Sequence, residues 1–173
     1  MSQRFYQSVL RRFARHLYYE ARGVSAIFSR ESLKRIEVAI SASELNHTAE
    51  IRVAVEASLG LRELFNKKTP RHRALEAFSL LKVWDTAQNN GVLIYINVAD
   101  RAVEIIADRG FEQRLNDVYW QQLCSKMVMG FQQDLFEQSV VQCVQKLSSD
   151  IARHFPSNGQ SNPDELPNSP VVL

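Results

Sequence analysis

The stretch AQNNGVLIYINVADRAVEIIADRG, residues 87–110, decides the fold, because it reads as two strands and the turn between them. Residues 92–98 form a continuous apolar, β-rich run, as a strand covered on both faces requires, and residues 102–107 repeat the pattern. Ala99, Asp100 and Arg101 are too few for a crossover, so the two runs pair as an antiparallel hairpin. Closing the hairpin sets Asn90 and Gly91 opposite Asp108, Arg109 and Gly110, which gathers polar residues at the open end of two buried strands. That end is the place to look for function.

Upstream of the hairpin, EIRVAVE (residues 50–56) alternates, with Ile51, Val53 and Val55 on one face and Arg52, Ala54 and Glu56 on the other. This is the first strand, and its less apolar face suggests a place nearer the sheet edge. Residues 59–69 read as a loop or a short irregular turn. Thr69 before Pro70 caps a helix that carries Ala74, Leu75, Phe78 and Leu81 toward the hairpin. Strand, helix, strand is a right-handed crossover unit, so the first two strands run parallel. Glu50 then shares the sheet end with Asn90 and Gly91, and Asp108 joins them.

Further out, Ser29 caps a helix with Glu31 in its first turn and Leu33, Ile36, Ile40 and then Ser43 or Glu44 inward. Residues 111–128 give another helix with Asn116 or Asp117 as its cap, interrupted at Gly130. Val140, Val144, Leu147 and Ile151 stripe the last one, over residues 137–155. The expected fold class is α/β: a single αβα sandwich around a small mixed β-sheet, with an extra N-terminal amphipathic helix. The expected division is a basic amphipathic helix in residues 1–28, one domain in 29–156 and a disordered tail in 157–173.

The N-terminal helix, residues 4–22, sets Tyr6, Leu10, Phe13 and Leu17 on one stripe and Arg4, Arg11, Arg12 and Arg15 on its polar side. Such a helix packs its aromatic stripe on the domain with its arginines solvated, or docks residues 1–22 on an acidic protein partner or an anionic membrane. A chain of 173 residues with 45% hydrophobic content suits one domain. Its net charge of +2 does not argue for nucleic-acid binding. Cys124 and Cys143 have neither zinc-site nor Cys-x-x-Cys spacing and read as buried, reduced thiols. With no secretory apolar run and no spanning segment, the expected location is cytoplasmic, or peripheral at the inner membrane.

Glu50, Asp85, Asn90, Asp108, Glu112 and Asp117 supply the hard oxygens that Ca2+ or Mg2+ requires. The structural alternative is equally specific: Asp117 caps a helix, Asp85 caps or forms an ion pair, and Asp108 pairs with Arg109 or another cation. For catalysis the set is His47, Glu50, Asp108 and Arg109, where a histidine of suitable pKa and an arginine could serve a phosphoryl oxygen. Lys67, Lys68, Arg71, His72 and Arg73 surround a helix start, as an anion patch or a solvated loop. No nucleophile elbow, phosphate-cradling loop or dinucleotide fingerprint occurs.

Taken together and in order, IEVAISASELNHTAEIRVAVE (36–56), NNGVLIYINVADRAVEI (89–105), RGFEQRLND (109–117) and FQQDLFEQSVV (131–141) resemble the TPM domain family across residues 29–155. That family includes thylakoid-lumen and photosystem-repair proteins and membrane-anchored bacterial relatives. The resemblance implies an αβα sandwich. It also implies one of two activities: an acid phosphatase with a calcium site, or an accessory factor acting on membrane complexes or receptors. By similarity Glu50, Asn90, Glu112 and Asp117 inherit a role, whereas Asp108 stands where secreted members commonly have glycine. The N-terminal helix and Val83-Trp84-Asp85-Thr86 resemble a soluble proteobacterial branch.

Overall fold

The computed structural model describes residues 2–157 and 165–173, with side chains from residue 9 onward. The expected roles of Arg4 and Tyr6 therefore lie outside the described side chains. In chain order the elements are α1 (Ser2–Arg22), α2 (Arg30–Glu44), β1 (Ile51–Glu56), α3 (Leu61–Phe65), α4 (Pro70–Leu80), β2 (Val92–Asn97), β3 (Ala102–Ala107), α5 (Asp117–Phe131), α6 (Phe136–Ile151) and β4 (Val171–Val172). Short 3-10 turns cover Val24–Ala26 and Arg109–Phe111.

Local signals fix most of these elements. The Ser29 hydroxyl accepts from Ser32 N at 3.1 Å and starts α2. Thr69 Oγ1 accepts from His72 N at 3.2 Å and starts α4, whose first residue is Pro70. Asn116, rather than Asp117, caps α5 by accepting from Tyr119 N. Helix α5 runs through Gly130 without the expected interruption; the glycine answers to helix packing, since a Cβ there would lie 1.9 Å from Ser139 Oγ of α6.

The sheet order is β3-β2-β1-β4, with β1 parallel to β2 (Ile51↔Val92) and β2 antiparallel to β3 (Val92↔Ala107). Alternation sorts the side chains into two layers. Val53, Val55, Ile94, Ile96, Val103 and Ile105 face the larger core, shared with α2, α5 and α6, where Ile36, Ile40, Val144 and Leu147 are fully buried. Ala54, Leu93, Tyr95 and Ile106 face the smaller core under α4, with Ala74, Ala77 and Val83. The result is a mixed four-stranded sheet between helical layers, the αβα sandwich.

Three expectations are corrected. Strand β1 is interior, not near an edge, because β4 pairs along its free side (Ala54↔Val171, Val55↔Val172). The same pairing revises the disordered tail: Leu166 is buried in the smaller core, and the Arg52 guanidinium donates to Ser169 O at 3.0 Å. Of that tail, residues 158–164 lie outside the described residues. The loop at residues 59–69 contains α3, whose Glu63 carboxylate accepts from Gly60 N at 2.9 Å. Among the described residues no helix is long and apolar enough to cross a membrane.

Candidate functional site

At the open end of the hairpin the sheet continues one residue beyond β2. Val92 N donates to Glu50 O at 2.8 Å and Asp108 N to Gly91 O at 2.9 Å, so Glu50, Gly91 and Asp108 stand side by side across three strands. Gly91 is required there. A Cβ would lie 1.9 Å from Val83 O, where the chain leaving α4 crosses the strand. At Gly110 a Cβ would lie 2.5 Å from Asn89 O, the carbonyl that accepts its own N–H. The two glycines of the motif thus answer to backbone packing.

The proposed site residues divide by burial. His47 is fully buried, and its Nδ1–H donates to Ala49 O at 2.9 Å. Nε2 therefore carries the lone pair, and it has no hydrogen-bond partner among the described residues. Burial lowers the His47 pKa from its ordinary value, more than the Ala49 contact raises it, so the ring is held neutral. Glu50 is also interior, and its Oε2 accepts from Leu166 N at 3.2 Å. Asn90 donates from its backbone to Thr86 Oγ1 and from its amide to Thr48 O, both near 3 Å. Its Oδ1 is buried without a partner among the described residues.

Asp108 caps the following 3-10 turn, its Oδ1 accepting from Arg109 N at 2.7 Å. The other oxygen, Oδ2, is sealed from solvent and has no hydrogen-bond partner among the described residues. The Arg109 side chain is exposed and donates to Asn89 Oδ1 at 2.7 Å, so it does not pair with Asp108 through its guanidinium. Asp85 is exposed in the turn after α4.

Asp108, Glu112 and Asp117 line one cleft of about 690 Å³, which lies along the edge strand β3 between α4 and α5. Glu50, Asp85, Asn90, His47 and Arg109 do not line it. The sequence reading missed Glu104 and Trp120 in this cleft and assigned Arg71 elsewhere. The signal for Glu104 was a lone carboxylate inside an apolar strand, which marks a position facing out of the core. Arg71 donates to Ile105 O at 2.9 Å and stands 3.6 Å from Glu104, so it closes the α4 side.

The donors suit a hard cation in kind: carboxylate oxygens, one of them buried and unpaired. They do not form a closed cage. Among the described residues no three His, Cys, Asp or Glu side chains converge closely enough to hold one ion between them. Both thiols are free, Cys143 buried and Cys124 partly so, and burial raises them to about 12 and about 11. Neither is a nucleophile at neutral pH.

Comparison with known proteins agrees with the fold. The family model described as the TPM domain matches residues 24–150. The BA42 protein of the psychrophilic bacterium Bizionia argentinensis, solved by NMR, superposes with a TM-score of 0.74 at 30% identity, covering 87% of this chain and 99% of that one. The N-terminal domain of a protein from P. gingivalis, also an NMR structure, shares the fold with a TM-score of 0.62 at 16% identity, covering 76% and 81%. No curated protein matches the chain.

Proposed function

This chain belongs to the TPM domain family, and from that premise we propose that it is an accessory domain binding a divalent cation, calcium or magnesium, in the cleft beside β3. The observation that carries the reading is that Asp108, whose Oδ2 is buried without a hydrogen-bond partner among the described residues, lines a cleft together with Glu112 and Asp117. A buried oxygen left unpaired costs free energy that a cation would recover. Asp108 with Glu112 or Asp117 would hold the ion, and water would complete its shell, as magnesium prefers and calcium tolerates. The ion would fix the 3-10 turn and the start of α5 relative to the strand edge, presenting a charged surface to a protein partner.

Arg71 in the same cleft favours a second reading, phosphomonoester hydrolysis, since a guanidinium can hold a phosphoryl oxygen and a bound cation would polarise it. The catalytic set first assigned supports it less. His47 and Glu50 are interior and engaged with Ala49 and Leu166, so neither reaches a substrate in this cleft.

Thermal melting with added Ca2+ or Mg2+ tests the proposal. Binding to the native state alone stabilises by about 1.4 kcal/mol at ten times the dissociation constant, and Asp108→Asn should remove the shift while leaving the fold intact. No shift of the wild-type protein with either ion disproves it. Turnover of a generic phosphomonoester that vanishes in Asp108→Asn would move the assignment to the second reading.

A further inference from the structure

Helices α1 and α3 touch through Phe13 and Phe65, whose ring centroids are 5.0 Å apart. The apolar side chains around this contact face outward: Phe65 is 73% exposed, and Leu10, Leu17 and Leu61 are more than half exposed. Leu10, Phe13 and Leu17 fall on one stripe of α1, and Leu61 and Phe65 are one turn apart on α3. Single exposed leucines are ordinary; five large apolar side chains from two elements make a patch.

The charges around it are one-sided. Residues 9–22 and 61–68 hold seven Lys and Arg against two Glu, and after Arg12 and Arg15 pair with Asp100 and Lys68 with Glu63 and Glu76, Arg11, Arg22, Arg62 and Lys67 remain outside these ion pairs. Both carboxylates are engaged with the fold. Glu20 accepts the Ser58 hydroxyl, and Glu63 accepts from Gly60 N and Lys68. Arg11, Arg62 and Lys67 are exposed on the two segments, and Arg22 lies over the half-exposed ring of Tyr18 at 4.6 Å.

We propose that this two-helix face docks on an anionic lipid bilayer. Leu10, Leu17, Leu61 and Phe65 enter the acyl boundary, and the long basic side chains reach back to the headgroups. The cations stand on both helices around the patch instead of opposite one point, which matches a continuous sheet of negative charge better than a single acidic segment of a protein. The surface differs from residues 1–22 acting alone: Arg12 is turned inward onto Asp100, and α3 supplies two of the five apolar side chains.

Co-sedimentation of the full chain with phosphatidylserine-containing vesicles, against phosphatidylcholine vesicles, tests this in buffer free of divalent ions. Wild-type protein should pellet with the anionic vesicles at low salt and be released at high salt. The double variants Leu17→Ser/Phe65→Ser and Arg62→Glu/Lys67→Glu should each bind at least about tenfold more weakly. All four positions are exposed, and an unchanged melting temperature would confirm intact folding. Asp108→Asn should bind vesicles like the wild type, which separates this proposal from the cation site. Absence of pelleting with anionic vesicles, or equal pelleting with neutral ones, overturns it, as does binding untouched in both double variants.

Discussion

The turn end and the open end of the β2–β3 hairpin carry similar residues and use them differently. At the turn, Asp100 receives Arg12 Nη2 at 2.8 Å and Arg12 Nε at 2.9 Å, with His16 Nε2 3.1 Å away. Leu59 N donates to His16 Nδ1 at 2.9 Å, which leaves the ring proton on Nε2, facing the carboxylate. Nearby, Glu56 takes Arg73 Nη2 at 2.8 Å and the Tyr95 hydroxyl, and Asn97 Oδ1 accepts from Asp100 N. Each of these acids has its cation inside the molecule. At the open end Asn90 Oδ1, Asp108 Oδ2 and His47 Nε2 are buried without hydrogen-bond partners among the described residues, whereas His16 Nε2 at the turn, which also lacks a hydrogen bond, lies 3.1 Å from the Asp100 carboxylate.

Open α/β sheets usually bind ligands beyond the carboxyl ends of their parallel strands. In this molecule that end of β1 and β2 is plugged by Arg12, His16 and Arg73. The lesson is that a cluster of charges marks a site by what its members leave unsatisfied, not by their number.

The contrast is sharpest under mutation at the turn. Asp100→Ala leaves Arg12 and His16 facing a void, and it should cost about 3 kcal/mol by urea denaturation, the scale for breaking a buried ion pair. A loss under about 1 kcal/mol would mean the turn end is no better paired than the surface.

Acid should then separate the two ends with a smaller effect. Burial would raise the Asp100 carboxyl, but the neighbouring His16 and Arg12 outweigh it and hold the group well below the usual carboxylate range. His47 is lowered by burial. Both folded values are depressed, so both contributions are full above the unfolded pKa and are lost as pH falls. The open end therefore weakens first, as pH drops below about 6.5 and the unfolded chain takes the proton that His47 refuses. The turn end follows below about 4. Urea midpoints across this range should show two descending legs, the first flattened in His47→Gln; a level response above about pH 5 would contradict the neutral, interior histidine.

The smallest change is expected at the rim of the open end. Arg109→Ala removes an exposed donor to Asn89 and should move stability by no more than about 0.5 kcal/mol. A larger loss, measured in the same urea series, would make Arg109 part of the frame.

The hairpin, the parallel crossover, the Ser29 and Thr69 caps and the α6 stripe were legible because each is specified within a few residues of itself. Val140, Val144, Leu147 and Ile151 are fully buried as their spacing requires. Strand β4 was not legible. Two valines after a proline-rich stretch carry no strand signal of their own and become one only against β1. The inward turn of Arg12 was equally hidden, since its partner Asp100 lies 88 residues away. At the candidate site, the sequence placed Glu50, Asn90 and Asp108 at one sheet end but could not assign depth. Side-chain alternation sends neighbouring positions into the core or out to the cleft, and Glu112 and Asp117 reach that cleft only because the 3-10 turn folds back along β3.

The contact between Gly91 and the Val83 carbonyl also limits how the molecule can yield. With no room for even a methyl group between the exit of α4 and the first residues of β2, these two pieces cannot slide past one another.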